Sequence, residues 1–187
     1  MRHALRYLVL LIFVLFCFSL DAQTYFFDNY NVRDGLAQSN VYDVIQDNKG
    51  YIWLGTASGA SRFDGAGFIN YSKDEGIAEN GVRTLIQDPK GNIWMGHIGG
   101  GLTRINPEGV IQHISPVKNK QGADITDFMI INNDQLWMST HGEGLFIAEN
   151  IYSDSLSGLS FKQYKGKEGL SDRVFSIYQN KKLNHSL

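Results

Sequence analysis

From residue 41 to residue 164 the apolar residues fall in short runs of about four to six, each closed by Gly, Asn, Asp or Pro. VYDVIQ, VRTLIQ and ITDFMII each precede a turn, and YIWLGT, NIWMGH and LWMST follow it. Two such runs bridged by an Asx/Gly turn predict a β-hairpin, and nothing between them has helical period. A glycine-bearing turn (ASGA, IGGG, HGEG) then leads to a third run, SRFD, LTRIN or LFIAE, and a fourth follows as FINY, VIQHI or FKQY. The unit is therefore four short strands. Apolar side chains on both alternating faces of VYDVIQ and VRTLIQ suit an inner strand covered on both sides.

The units repeat. IQDNKGYIWLGT at residues 45–56 returns as IQDPKGNIWMGH at 86–97, and Trp53, Trp94 and Trp137 are spaced 41 and 43 residues apart. Asp47 and Gly50, then Asp88 and Gly91, frame the turn before the first two tryptophans, while the third copy has Asn132-Asn133-Asp134-Gln135 in a loop one residue shorter. Four strands in a unit of about 40 residues is the arithmetic of a propeller blade. Asp47 and Asp88 are expected to accept backbone N–H bonds in their turns. The tryptophans are expected to fill the space between blades, with stacking on a sugar as the alternative.

A second pattern, F-x-x-Y-x4-G-[LI], sets the phase: Phe27, Tyr30 and Gly35 are spaced like Phe68, Tyr71 and Gly76, and like Phe161, Tyr164 and Gly169. It marks the fourth strand and the loop beyond. The chain is accordingly expected to be all-β and a partial β-propeller. Residues 23–34 would form an outer strand completing a missing blade, 35–75, 76–120 and 121–168 three complete blades, and 169–187 the start of a truncated fourth whose inner strand is contained in GLSDRVFSIYQN. Closed propellers need about 4 to 8 blades, so the expectation is the N-terminal part of a longer protein.

Residues 1–22 read differently. Arg2 and Arg6 precede the apolar run Tyr7 to Phe18, a length that fits a secretory signal core better than a membrane span, with cleavage expected after Ala22 and an uncleaved anchor as the alternative. The sole cysteine, Cys17, lies inside this segment, so the remainder can have neither disulfides nor a thiolate site. With 17 basic and 19 acidic residues and no basic cluster, nucleic acid is not expected as a partner.

Catalytic patterns are thin. GHIGGG sits in a hairpin turn rather than opening a helix, and His97, His113 and His141 lie on different strands without a carboxylate set, so neither a cofactor nor a metal is expected. Ligand recognition fits better with the loops. Those from fourth to first strand and from second to third strand should emerge at the same end of every blade, carrying Asn40, Asn80, Arg83, His97, His141, Glu143 and Arg173. Arg83, His97, His141, Glu143 and Arg173 are the candidate ligand-binding residues.

The two near-identical stretches, IQDNKGYIWLGTASGASRFDG and IQDPKGNIWMGHIGGGLTRINPEG, each preceded by GLAQSNVYDV or GIAENGVRTL, resemble the two-component regulator propeller repeat. The resemblance implies a periplasmic sensor region of a membrane histidine kinase, exported by the signal peptide. Its partners would be a small-molecule or glycan ligand, the remaining blades and a membrane kinase region. A secreted propeller enzyme of lyase type and a non-enzymatic interaction scaffold are the alternatives.

Overall fold

The structure is a computed structural model that describes residues 6–7, 26–116, 123–166 and 171–179. The expected signal peptide lies outside the described residues, apart from Arg6 and Tyr7. Among the described residues no helix is long and apolar enough to cross a membrane.

Among the described residues twelve strands form three antiparallel four-stranded sheets, each a meander in chain order. The first contains β1 (Val41–Gln46), β2 (Ile52–Thr56), β3 (Gly59–Phe63) and β4 (Phe68–Tyr71). The second contains β5 (Val82–Gln87), β6 (Ile93–His97), β7 (Leu102–Ile105) and β8 (Ile111–Ile114). The third contains β9 (Asp124–Ile131), β10 (Gln135–His141), β11 (Gly144–Glu149) and β12 (Ser160–Tyr164). The sheets meet through their first strands: β5 packs on β1 and β2, and β9 packs on β5 and β6. This is the all-β, blade-on-blade arrangement of a propeller.

The core lies between the sheets. Trp53, Leu85, Ile93 and Met95 belong to the cluster between the first and second sheets, whereas Trp94, Leu102, Ile125, Phe128 and Met138 belong to that between the second and third. Trp94 is wholly buried and Trp53 almost so. Trp137, on the outer face of the third sheet, is half-buried and borders an open groove of about 470 Å³ with Leu145, Ile147 and Tyr164. Apolar burial of this kind, worth about 1.5–3 kcal/mol per large side chain, is what holds one sheet on the next.

The tight contact between sheets has a local cause in the sequence. Gly55 and Gly96 occupy matching positions on the second strand, two residues after the tryptophan. A Cβ on Gly55 would lie 2.8 Å from the Val82 carbonyl oxygen, and one on Gly96 would lie 2.6 Å from Ile125 Cγ2. Only glycine lets the next sheet approach so closely.

The structure departs from expectation at both flanks. Residues 26–31 form no strand, and Phe26 and Phe27 are exposed. Tyr30 instead packs on the rings of Phe63 and Phe68, at 4.8 and 5.8 Å between centroids. Val44 and Tyr42 of β1 are likewise exposed, so the first inner strand is covered on one face only. At the other flank, residues 171–179 lie where a fourth inner strand belongs but form no ladder, only a single bridge from Arg173 to His141. Their placement still follows the repeat. Ile177 N–H donates to Asp127 Oδ2 at 2.9 Å just as Leu85 N–H donates to Asp43 Oδ2 at 2.7 Å.

Candidate functional site

The turns from second to third strand and the segments leading into the first strand meet at one end of the array, as strand order requires. Ala57 N–H donates to the Asn40 carbonyl at 3.2 Å and Ile98 N–H to the Gly81 carbonyl at 2.8 Å. Neighbouring sheets are joined there too: Gly99 N–H donates to Asp124 Oδ1 at 3.0 Å, and Gly142 N–H to the Asp172 carbonyl at 2.8 Å. This end is a continuous loop surface built on rigid strands.

His141, Glu143 and Arg173 come together on it. Arg173 is bridged to His141, and the Phe175 ring stands 5.6 Å from the imidazole. Glu143 Oε2 accepts from Lys165 Nζ at 3.1 Å and from Gln163 Nε2 at 3.1 Å, and Lys165 Nζ is 3.9 Å from Asp172 Oδ2. Lys165 joins the sequence candidates here, and the sequence does carry a signal for it. The residue after the F-x-x-Y tyrosine is Asn31 or Ser72 in the first two copies, where it caps a short 3-10 turn with a capping box, and Lys165 breaks that pattern.

Arg83 and His97 sit one sheet away. Arg83 is half-buried in β5 at a register shift between Val82 and Thr84, a bulge matched by Tyr42 in β1. Bulges re-aim a side chain, and Asn40 Nδ2 reaches Tyr42 Oη at 3.3 Å in the first copy.

His97 does not belong on the loop surface. It is fully buried at the end of β6, with Nε2 2.8 Å from Thr103 Oγ1 and Nδ1 without a hydrogen-bond partner. Burial pushes its imidazole down to about 4, against the opposing pull of the Glu79 and Gly81 carbonyls and the Glu79 carboxylate. The reason is positional. Thr56 and Thr140 occupy the same place in the other copies, each buried and donating Oγ1–H to the Gly59 or Gly144 carbonyl at 2.8 Å. His97 fills a turn-closing position.

At the opposite end the tryptophan motif is a hydrogen-bonded unit. Asp47 Oδ1 accepts from Lys49 N–H and Tyr51 N–H at 2.9 Å, and Oδ2 accepts from Trp53 Nε1–H at 2.8 Å. Asp88 repeats this with Lys90, Asn92 and Trp94, each at 2.9 Å. Gly50 and Gly91 close the turns at φ 88° and 86°, backbone that other residues rarely adopt. In the third copy Asn132 and Asn133 take positive φ instead, and Trp137 Nε1–H reaches Gln135 Oε1 at 3.3 Å. Among the described residues no group of three or more His, Cys, Asp or Glu is placed to hold a metal ion.

Repeated four-stranded sheets, a tryptophan locked to its turn aspartate and a loop surface at one end define a β-propeller segment. The motif copies at residues 35–58 and 76–99 match the model of the two component regulator propeller. These two stretches are similar to that repeat. Over 60 residues it is 40% identical to Histidine kinase P4 of Formosa agariphila, a stretch covering 31% of this chain and 4% of that protein. The extracellular domain of a putative hybrid two component system from B. thetaiotaomicron superposes with a TM-score of 0.65 at 24% identity, over 81% of this chain and 19% of that one. Virginiamycin B lyase from Staphylococcus aureus shares the fold at a TM-score of 0.54 and 16% identity, over 68% of this chain and 42% of that one. The chain thus spans a small part of the sensor and kinase proteins that it resembles.

Proposed function

We propose that this chain is a ligand-sensing propeller segment of the extracytoplasmic region of a two-component receptor. The observation that carries the reading is the pair of family-matching repeats at residues 35–58 and 76–99, together with the 40% identity to a histidine kinase. The fold alone would suit a sensor or a lyase equally, since both kinds of neighbour share it. Sequence likeness favours the sensor.

In this reading the ligand, a small molecule or a glycan, binds at the loop end. His141, Arg173 and Arg83 supply polar contacts, with Glu143 held in place by Lys165. Signalling passes through further blades to a membrane kinase region. The test is a thermal-shift screen of the chain against oligosaccharides and organic acids, followed by Arg83→Ala and Arg173→Ala. A stabilising ligand should lose at least tenfold in affinity in one or both variants while the apo melting temperature stays put. Undiminished binding in both removes the loop end from the mechanism, and turnover of virginiamycin B would replace the sensor reading with the lyase one.

A further inference from the structure

Matching arginines on the third strands of the first two sheets have different surroundings. Arg62 pairs with Trp53 across β3 and β2, as Arg104 pairs with Trp94 across β7 and β6, and each guanidinium lies near its tryptophan ring, at 5.9 and 5.6 Å. Arg104 is held at both terminal nitrogens. Its Nη1 donates to the carbonyls of Ile151 and Ser153 at 2.9 and 2.8 Å, and its Nη2 to Gln112 Oε1 at 2.5 Å and the Asp154 carbonyl at 3.2 Å. The three carbonyls belong to the long connection between β11 and β12, which folds over from the next sheet.

Arg62 has no such cover. The sheet that faces it presents the short turn between β7 and β8, closed by the bond from Gly109 N–H to the Asn106 carbonyl at 2.9 Å. The guanidinium lies over the Tyr51 ring at 4.6 Å yet makes no hydrogen bond among the described residues, and its Nε is buried without a partner. Above it remains a cleft of about 50 Å³ bordered by Lys49, Asn106 and Gly109. Lys49 Nζ spends one N–H on the Pro107 carbonyl at 3.2 Å, and the oxygens of Asp47 are taken by Trp53, Lys49 and Tyr51. Two cationic side chains with free donors thus share a small cleft whose lining carboxylate, Asp47, is already engaged, while the exposed Asp64 carboxylate feels the Arg62 charge from outside that lining.

We propose that this cleft between the first two sheets binds a small carboxylate. Its two oxygens would accept from adjacent N–H groups on two nitrogens of the Arg62 guanidinium, donors that at Arg104 are taken up by carbonyls of the next sheet. A planar guanidinium matches a carboxylate through two parallel N–H bonds, and the single charge of a carboxylate answers the one unpartnered guanidinium in the cleft. The site lies at the opposite end of the blades from the loop surface and does not depend on it.

The test is a titration of the ¹⁵N-labelled full chain with sodium acetate, and separately with sodium phosphate, at constant ionic strength set by sodium chloride. The Trp53 Nε1–H and Arg62 Nε–H signals should shift saturably with acetate, and Arg62→Gln should weaken the apparent affinity at least tenfold, read at Trp53. Lys49→Gln, a change at an exposed residue, should weaken it about threefold with the Trp94 Nε1–H signal unmoved, so the site is read even if Arg62→Gln disturbs the fold. A linear response shared by chloride, tighter saturation by phosphate than by acetate, or full affinity in both variants would overturn the proposal.

Discussion

Trp94 and Asp88 are joined by a buried hydrogen bond of 2.9 Å from the indole Nε1–H to Oδ2. The same carboxylate accepts from Asn92 Nδ2 at 2.7 Å and from two backbone N–H groups, so four donors converge on one nearly inaccessible side chain. Turn geometry and core packing are therefore the same structure seen from its two ends. Removing the carboxylate leaves the indole and amide donors desolvated without partners, at about 1–3 kcal/mol each when unrelieved.

Asp88→Ala is accordingly expected to destabilise the chain by about 3 kcal/mol or more, and Asp88→Asn by less, since the amide oxygen can still accept from part of the set. Urea denaturation followed by tryptophan fluorescence measures both. Equal stability of Asp88→Ala and the parent chain would show that the Asp88 carboxylate does not secure Trp94.

Gly96 offers a second prediction, about packing alone. A methyl group there would stand 2.6 Å from Ile125 Cγ2, 2.7 Å from Thr84 Cγ2 and 2.9 Å from Ile125 Cβ. Ile125 is buried between the sheets, and its Cβ cannot swing aside as a chain end could. Gly96→Ala should therefore cost about 1–3 kcal/mol, visible as a lower denaturation midpoint. Ser139, at the matching place in β10, already carries a Cβ and uses its Oγ on Thr126 Oγ1 at 2.8 Å. Ser139→Gly should therefore not raise stability, and Gly96→Ala at parental stability would show that close approach is not what selects glycine there.

These residues also mark what could be read from the sequence. Strand boundaries, hairpin turns and the stacking of one unit on the next were legible because each is written by local chemistry that recurs: Asp47 with Gly50, Asp88 with Gly91, and an apolar run on either side. The role of Gly55 and Gly96 was not, because it depends on the register between sheets rather than within one. From sequence His97 reads as a loop residue, because it follows a strand and precedes glycines. Its alignment with Thr56 and Thr140 holds the correct answer, since two small turn-closing hydroxyls predict an interior position for the third residue. Arg62 and Arg104 look alike in sequence; only the different lengths of the facing connections separate them.

The buried His97 makes stability depend on pH with a defined sign. Its imidazole is held at about 4 in the fold against 6.5 when free, so between those values the unfolded chain binds a proton that the folded chain refuses. The neutral ring's contribution is fully present above pH 6.5 and is lost as pH falls through 4. A depression of this size corresponds to about 3 kcal/mol. His97→Gln keeps a polar side chain near Thr103 Oγ1 but cannot titrate. Urea denaturation at pH 7.0 and 4.5 should show the parent chain losing more stability than the variant, by about 2–3 kcal/mol, with carboxylate protonation common to both. Parallel losses in the two proteins would place the His97 ring in contact with water and return it to the loop surface.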